Sequence, residues 1–258
     1  MPSVHDRLIQ LAILVTIFGG WEIGTATGFL DTFFFPPPSE IGWRVVTWAV
    51  DPEFYGDVSI TLLETVLGYL IGTLLGVAMG VALGLHARAA RILDPFIKVL
   101  NSIPRVVLAP LFILWLGLGL WSKVALAVTL VFFITFFNAL EGVREVSRIL
   151  LNNARILGAG PGELLRHVYL PSAATWILSS LRTSVGFAVV GAIIGEYLGS
   201  SAGLGHLISQ AEGTFDAVGV FAGIVVLAGF VLVLDKMLTV VEHRLIVWRP
   251  RAESGANP

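Results

Sequence analysis

Arg105, Arg182 and Glu196 are charged side chains set in stretches that are otherwise almost wholly apolar. A charge among Leu, Ile, Val and Phe must find a partner, reach water, or meet a passing solute. For the two arginines the chemistry on offer is a fixed positive charge with a planar fork of N–H donors, suited to an anionic group. The plainer alternative is a guanidinium that snorkels towards a basic surface. For Glu196 it is a carboxylate that either caps a helix or bridges two, or else latches a gate or lines a pathway. Gly203, Leu204 and Gly205 follow it in a run, Gly195 to Ile208, too polar and glycine-rich to face lipid.

Reaction chemistry is otherwise missing. The chain has no cysteine, and its five histidines show no metal-ligand spacing. Lys98, Lys123 and Lys236 follow Ile97, Ser122 and Asp235, so no Gly-Lys-Ser/Thr phosphate loop exists and ATP is not bound that way. There is no helical histidine pair with a glutamate, no nucleophile elbow, and no carboxylate pair at helical spacing inside the apolar runs. No ladder of intramembrane acids suggests a proton-driven pump. The chain is not expected to be an enzyme, nor to hold a metal or cofactor, and nothing points to nucleic acid.

The elements that carry these charges are membrane spans. Of 258 residues 56% are hydrophobic and 13% charged, against about 25% charged in soluble domains, and the mean hydropathy is +0.86. The fold class expected is all-α, with six transmembrane helices near 8–30, 59–85, 93–117, 124–139, 172–194 and 217–239, in one membrane domain over 1–258. The first run is too long for a signal peptide and reads as an uncleaved span. Pro36-Pro37-Pro38 then stiffens the chain, and Ser39 is placed to cap an interfacial helix in which Ile41, Val45 and Trp48 share a face. In the second span Gly68, Gly72, Gly76, Gly80 and Gly84 recur every fourth residue, a groove for another helix of the same chain or, less simply, a dimer seam. Pro104 and Pro110 interrupt the third, around Arg105.

Between the fourth and fifth spans lies Glu141–Pro171, the longest piece that no bilayer could hold. Val143, Val146, Leu150 and Leu157 share one helical face, and Glu141, Glu145, Arg148, Asn152 and Arg155 the other. Glu145 and Arg148 stand at pairing distance. Gly158 is placed to end this helix. Gly160-Pro161-Gly162 bends the chain into a second, short helix from Pro161 to about Val168, which Pro171 limits.

Charge gives the orientation. The N-terminus, 86–91, 141–171 and the tail hold Arg7, Arg88, Arg91, Arg144, Arg148, Arg155, Arg166, Arg244, Arg249 and Arg251. The opposite loops hold only Arg44 and Lys123. The positive-inside rule puts the first set, with both termini and the 141–171 loop, in the cytoplasm.

Ala154, Gly158 and Val168-Tyr169-Leu170-Pro171 match the "EAA…G…I-LP" loop of ABC importer permeases, and the stretch resembles that loop in the nitrate/sulfonate/taurine branch. IPRVVLAPLFILWLGLG (Ile103 to Gly119) resembles the same branch, and Gly195 to Ile208 resembles its "E…GLG" segment near the outer gate. The resemblance covers roughly residues 60–240. It implies type I importer permease architecture in a bacterial inner membrane. It also implies a coupling loop docked on a cytoplasmic ABC ATPase, with contacts drawn from Asn152, Asn153, Ala154, Arg155, Leu157, Gly158, Ala159, Gly160, Glu163, Arg166, Leu170 and Pro171. Where the family usually has Glu-Ala this chain has Asn152-Asn153, which removes a charge and leaves Asn152 able to accept a hydrogen bond. The partners implied are two ATPase subunits, which bind the ATP and Mg, a second copy of the chain, and an external substrate-binding protein. Substrates implied are small anions such as sulfonates or nitrate, or small heterocycles. Arg105, Arg182, Glu196, Gly203, Leu204 and Gly205 are the path or gate candidates. A stand-alone channel, a secondary transporter or a membrane scaffold are the alternatives.

Overall fold

The computed structural model describes residues 4–245, and these form helices with no strand among them; Arg249 and Arg251 of the basic tail lie outside the described residues. The helices are α1 (Val4–Ala26), α2 (Pro38–Ala49), α3 (Pro52–Leu85), α4 (Ala87–Ser102), α5 (Ala109–Leu116), α6 (Leu120–Arg144), α7 (Arg148–Ile156), α8 (Pro161–Leu164), α9 (Leu170–Leu198), α10 (Leu204–Gly213) and α11 (Ala217–Leu245). Five helices are long and apolar enough to cross a membrane, and a sixth crossing arises if α4 and the Arg105–Leu116 segment count as one, bent by 84°.

The glycine stripe explains the centre of the bundle. Gly68, Gly72, Gly76, Gly80 and Gly84 of α3 lie against Ala127, Val131, Thr135, Ala139 and Val143 of α6, so both partners advance four residues per step. A Cβ on Gly72 would stand 2.8 Å from Val131 Cβ, and one on Gly80 2.8 Å from Ala139 Cβ. The groove is therefore filled by the chain itself, as small residues in a membrane allow. Because both stripes ascend together, α3 and α6 are parallel. The chain from 86 to 119 must return the length of the pair, and that makes the bent α4–α5 unit the missing crossing. α9 is antiparallel to α6: Gly142 meets Ala173 at one end, while Gly191 meets Ala127 and Gly195 meets Lys123 towards the other.

The third span breaks where proline demands it. Ile103, before Pro104, is extended at φ −66° and ψ 124°, which ends α4, whereas Pro110 sits in the first turn of α5 and does no damage. α2 begins at Pro38 rather than at a Ser39 cap. The Glu22 carboxylate of α1 accepts from Ser39 N–H at 3.0 Å and from its Oγ at 2.6 Å. Arg44 of α2 pairs with Asp216 at 2.6 Å, and Trp21 meets Phe221 edge to face at 5.6 Å. The end of α1 thus meets the start of α11. As spans, both run from there towards the end of the bundle that holds 141–171.

Candidate functional site

The 141–171 stretch is more broken than periodicity suggests at its start and less so at its end. α6 runs through Val143, which packs on Gly84, and stops at Arg144; Val146 then turns into a small core with Leu164 and Val168. Leu151, Ala154, Ala159 and Tyr169 pack on that core. The expected apolar face is thereby corrected. Leu151 and Ala154 face inward, while Leu150 and Leu157 face out, because the break after Arg144 resets the helical phase. The expected Glu145–Arg148 pair does not form: Glu145 accepts from Trp176 Nε1 at 3.0 Å, and Arg144 pairs with Glu141 at 3.1 Å. Gly158 is left-handed at φ +91°, with Ala159 N–H returning to the Ala154 carbonyl at 3.0 Å. Gly160 N–H donates to Glu163 Oε2 at 2.8 Å, fixing the start of α8. Pro171 does not end the second helix. A π-helical turn, Leu165–Tyr169, carries α8 into α9 and absorbs the missing N–H.

What this strut shows to water is unusual. Ile149, Ile156 and Leu157 are 74%, 82% and 88% exposed, beside exposed Asn152, Asn153, Arg155, Glu163 and Arg166. Ile149 and Ile156 stand two turns apart on one face of α7, with Asn152 and Asn153 between them, and Leu157 follows at the bend, so large aliphatic side chains lie open at both ends of this short helix.

At the opposite end of the bundle, α10 is held by its first turn. Gly203 N–H donates to Asp57 Oδ1 at 2.7 Å, Leu204 N–H to Thr61 Oγ1 at 2.9 Å and Gly205 N–H to Glu196 Oε2 at 2.7 Å. Thr61 in turn donates to Glu196 Oε1 at 2.6 Å. These N–H groups have no partner within the helix, so acceptors from α3 and α9 supply them. The close approach explains the glycines: a Cβ on Gly205 would lie 2.9 Å from Glu196 Cβ. Glu64 and Lys123 are buried beside Glu196. Lys123 donates to the carbonyls of Leu118 and Gly119.

The arginines separate clearly. Arg105 donates to the carbonyls of Leu100 at 2.8 Å, Ile103 at 3.1 Å and Asn101 at 3.1 Å, and to Asn101 Oδ1 at 2.9 Å, with its guanidinium 4.5 Å from the Phe133 ring centroid. It closes the open carbonyl end of α4 at the proline break while remaining partly exposed. Arg182 is exposed and makes no hydrogen bond or ion pair among the described residues. It belongs to an exposed polar stripe of α9 with Ser172, Thr175, Ser179 and Thr183, opposite the buried stripe of Ala173, Ser180, Ser184, Ala188, Gly191 and Gly195.

Residues 72–247 match the family model of the binding-protein-dependent transport system inner membrane component. The chain belongs to that family. It is an ABC importer permease subunit, not an enzyme, and ATP hydrolysis in such systems belongs to a separate ATPase. It is 36% identical to the riboflavin transport system permease protein RibX of Chloroflexus aurantiacus, over 92% of this chain and 87% of that one. It is 30% identical to the formylaminopyrimidine transport permease protein ThiX of Halalkalibacterium halodurans (96% and 97% covered) and 30% identical to the taurine transport system permease protein TauC of Escherichia coli K12 (92% and 87%). The fold is that of the MetNI methionine ABC transporter in inward-facing conformations, with a TM-score of 0.63 at 20% identity, covering 74% of this chain and 94% of that one.

Of the residues singled out from sequence, the permease brings Glu196, Gly203, Leu204 and Gly205 into one clasp and leaves Arg105 and Arg182 apart from it and from each other's work. Asp57, Thr61, Glu64 and Lys123 were not singled out. Glu64 lies in the glycine-striped span, and Lys123, counted with the loops by charge, is buried in the first turn of α6. Their signal was present as an acid and a base within apolar runs, but nothing in the spacing showed that three helices bring them to Glu196.

Proposed function

We propose that two copies of this permease form the substrate path of an importer and that each grips a cytoplasmic ABC ATPase through the 141–171 strut. The observation that carries this reading is the apolar patch of Ile149, Ile156 and Leu157 on a bent segment braced by its own small core. A rigid handle with a greasy tip transmits motion between two arrangements of the bundle. Asn152, Asn153, Arg155, Glu163 and Arg166 form the polar rim of that contact; Ala154, Gly158, Ala159, Gly160, Leu170 and Pro171 hold its shape. The basic residues at this end favour the cytoplasm for the strut and both termini, and an external binding protein then delivers substrate at the α10 end.

The path runs along the polar stripe of α9. Lipid does not solvate Thr175, Ser179, Arg182 and Thr183, so water or a second copy must cover them. Arg182 makes a small anion, such as a sulfonate or nitrate, the favoured cargo over a neutral heterocycle. Co-expression with a cognate Walker-motif ATPase, followed by purification, tests the assembly. A stable complex of two permeases and two ATPases, with ATP-dependent uptake in vesicles, is expected. Substrate flux through the purified permease alone would replace this reading with that of a stand-alone transporter.

A further inference from the structure

Neither the strut nor the α9 stripe uses the Glu64–Lys123–Glu196 cluster. All three side chains are fully buried, one from each of α3, α6 and α9. Lys123 spends its ammonium on the carbonyls of Leu118 and Gly119. Both Glu196 oxygens are engaged, one by Thr61 and one by Gly205. Glu64 Oε2 has no partner. Gly68 of α3 and Gly191 of α9 both meet Ala127, and Gly195 meets Lys123, so one turn further along Glu64, Lys123 and Glu196 share a layer of the bundle, which brings the two carboxyls together. Two carboxylates against one ammonium would leave surplus negative charge and a like-charge contact in a medium that solvates neither. One proton between the carboxyls removes both faults: the repulsive contact becomes a donor–acceptor bond, and with Lys123 the cluster sums to zero. Among the described residues no other charged group faces it. Asp57 of α3 lies further out and holds Gly203, α6 contributes Lys123 alone, and α10 presents the backbone N–H groups of Leu204 and Gly205.

We propose that Glu64 and Glu196 form a proton-binding site, holding one proton between them, and that this proton keeps the first turn of α10 clasped between α3 and α9. With the proton gone, a second negative charge forces Glu64 from Glu196 and so α3 from α9, and these two helices supply every acceptor for that turn. The site is independent of the ATPase and of the cargo, so it stands or falls apart from the assembly proposed above.

Infrared spectroscopy of the purified chain in lipid, titrated in H2O and D2O, tests it directly. The native chain is expected to show a buried carboxylic-acid C=O band at neutral pH that disappears on alkaline titration, and Glu64→Gln is expected to lack that band. Because the amide mimics the protonated acid as a donor, Glu64→Gln should melt like the native chain at neutral pH and lose the native fall in melting temperature at alkaline pH. Absence of the band from the native chain overturns the proposal without any variant. So does a band unchanged in Glu64→Gln, or an alkaline fall that persists in it.

Discussion

Replacing Ile156 and Leu157 by serine separates gripping from folding. Both side chains are more than four-fifths exposed, so their loss should leave the permease's insertion and melting temperature unchanged. If a partner buries them, each contributes about 1.5–3 kcal/mol of apolar transfer. Ordering and desolvation at the contact consume part of that, so the lower end is the better guide. Since about 1.4 kcal/mol is a factor of ten, each serine should weaken ATPase binding by about tenfold and the pair by about a hundredfold. The assay is titration of detergent-solubilised permease with purified ATPase, alongside uptake in vesicles matched for permease content. Unchanged affinity and full uptake in the double variant would refute the docking role. A large fall in melting temperature would refute it equally, by showing that the patch is packed within the permease.

Other expectations follow from single contacts. Gly158→Val meets no neighbour, since a Cβ there stands in open space, but it must adopt φ +91°; a penalty of about 1–2 kcal/mol should distort the strut, so that ATP hydrolysis continues while uptake falls. Gly80→Ala drives a Cβ to 2.8 Å from Ala139 Cβ and against the Phe136 carbonyl; overpacking of about 1–3 kcal/mol should lower the melting temperature, whereas Gly42→Ala, in open space, should not. The chain has no cysteine, so Ser179→Cys is a unique probe; in the assembled transporter an anionic thiol reagent should label it at least about tenfold faster than a cationic one, and Arg182→Gln should abolish the difference. Burial opposes ionisation of Asp216, but hydrogen bonds from Gly219 and Arg44 and the Arg44 charge outweigh it and hold the carboxyl below its ordinary value. A lowered value stabilises the fold above the unfolded-state pKa, about 3.9, and the gain fades as pH falls through the folded-state value. Asp216→Asn should therefore melt below the native chain at pH 7 and converge with it under strong acid.

Local chemistry made much of this permease legible in advance. Apolar runs longer than a bilayer is thick, a proline that forbids helix before it, and a glycine every fourth residue each act through neighbours in sequence, so spans, the break at Pro104 and the α3 groove could be read from the chain. So could the polar strut with its Gly158 turn, because no bilayer could hold it. What filled the groove, which way α3 and α6 ran, and which face of α7 turned outward depended on contacts between residues dozens apart. That Arg105 closes the open carbonyls of α4 likewise depended on how the chain turns at Pro104. The meeting of Glu64, Lys123 and Glu196 is the clearest case: the charges come from three different helices, their burial is decided only when the helices pack, and no spacing within one helix encodes which neighbours a side chain will have across the bundle.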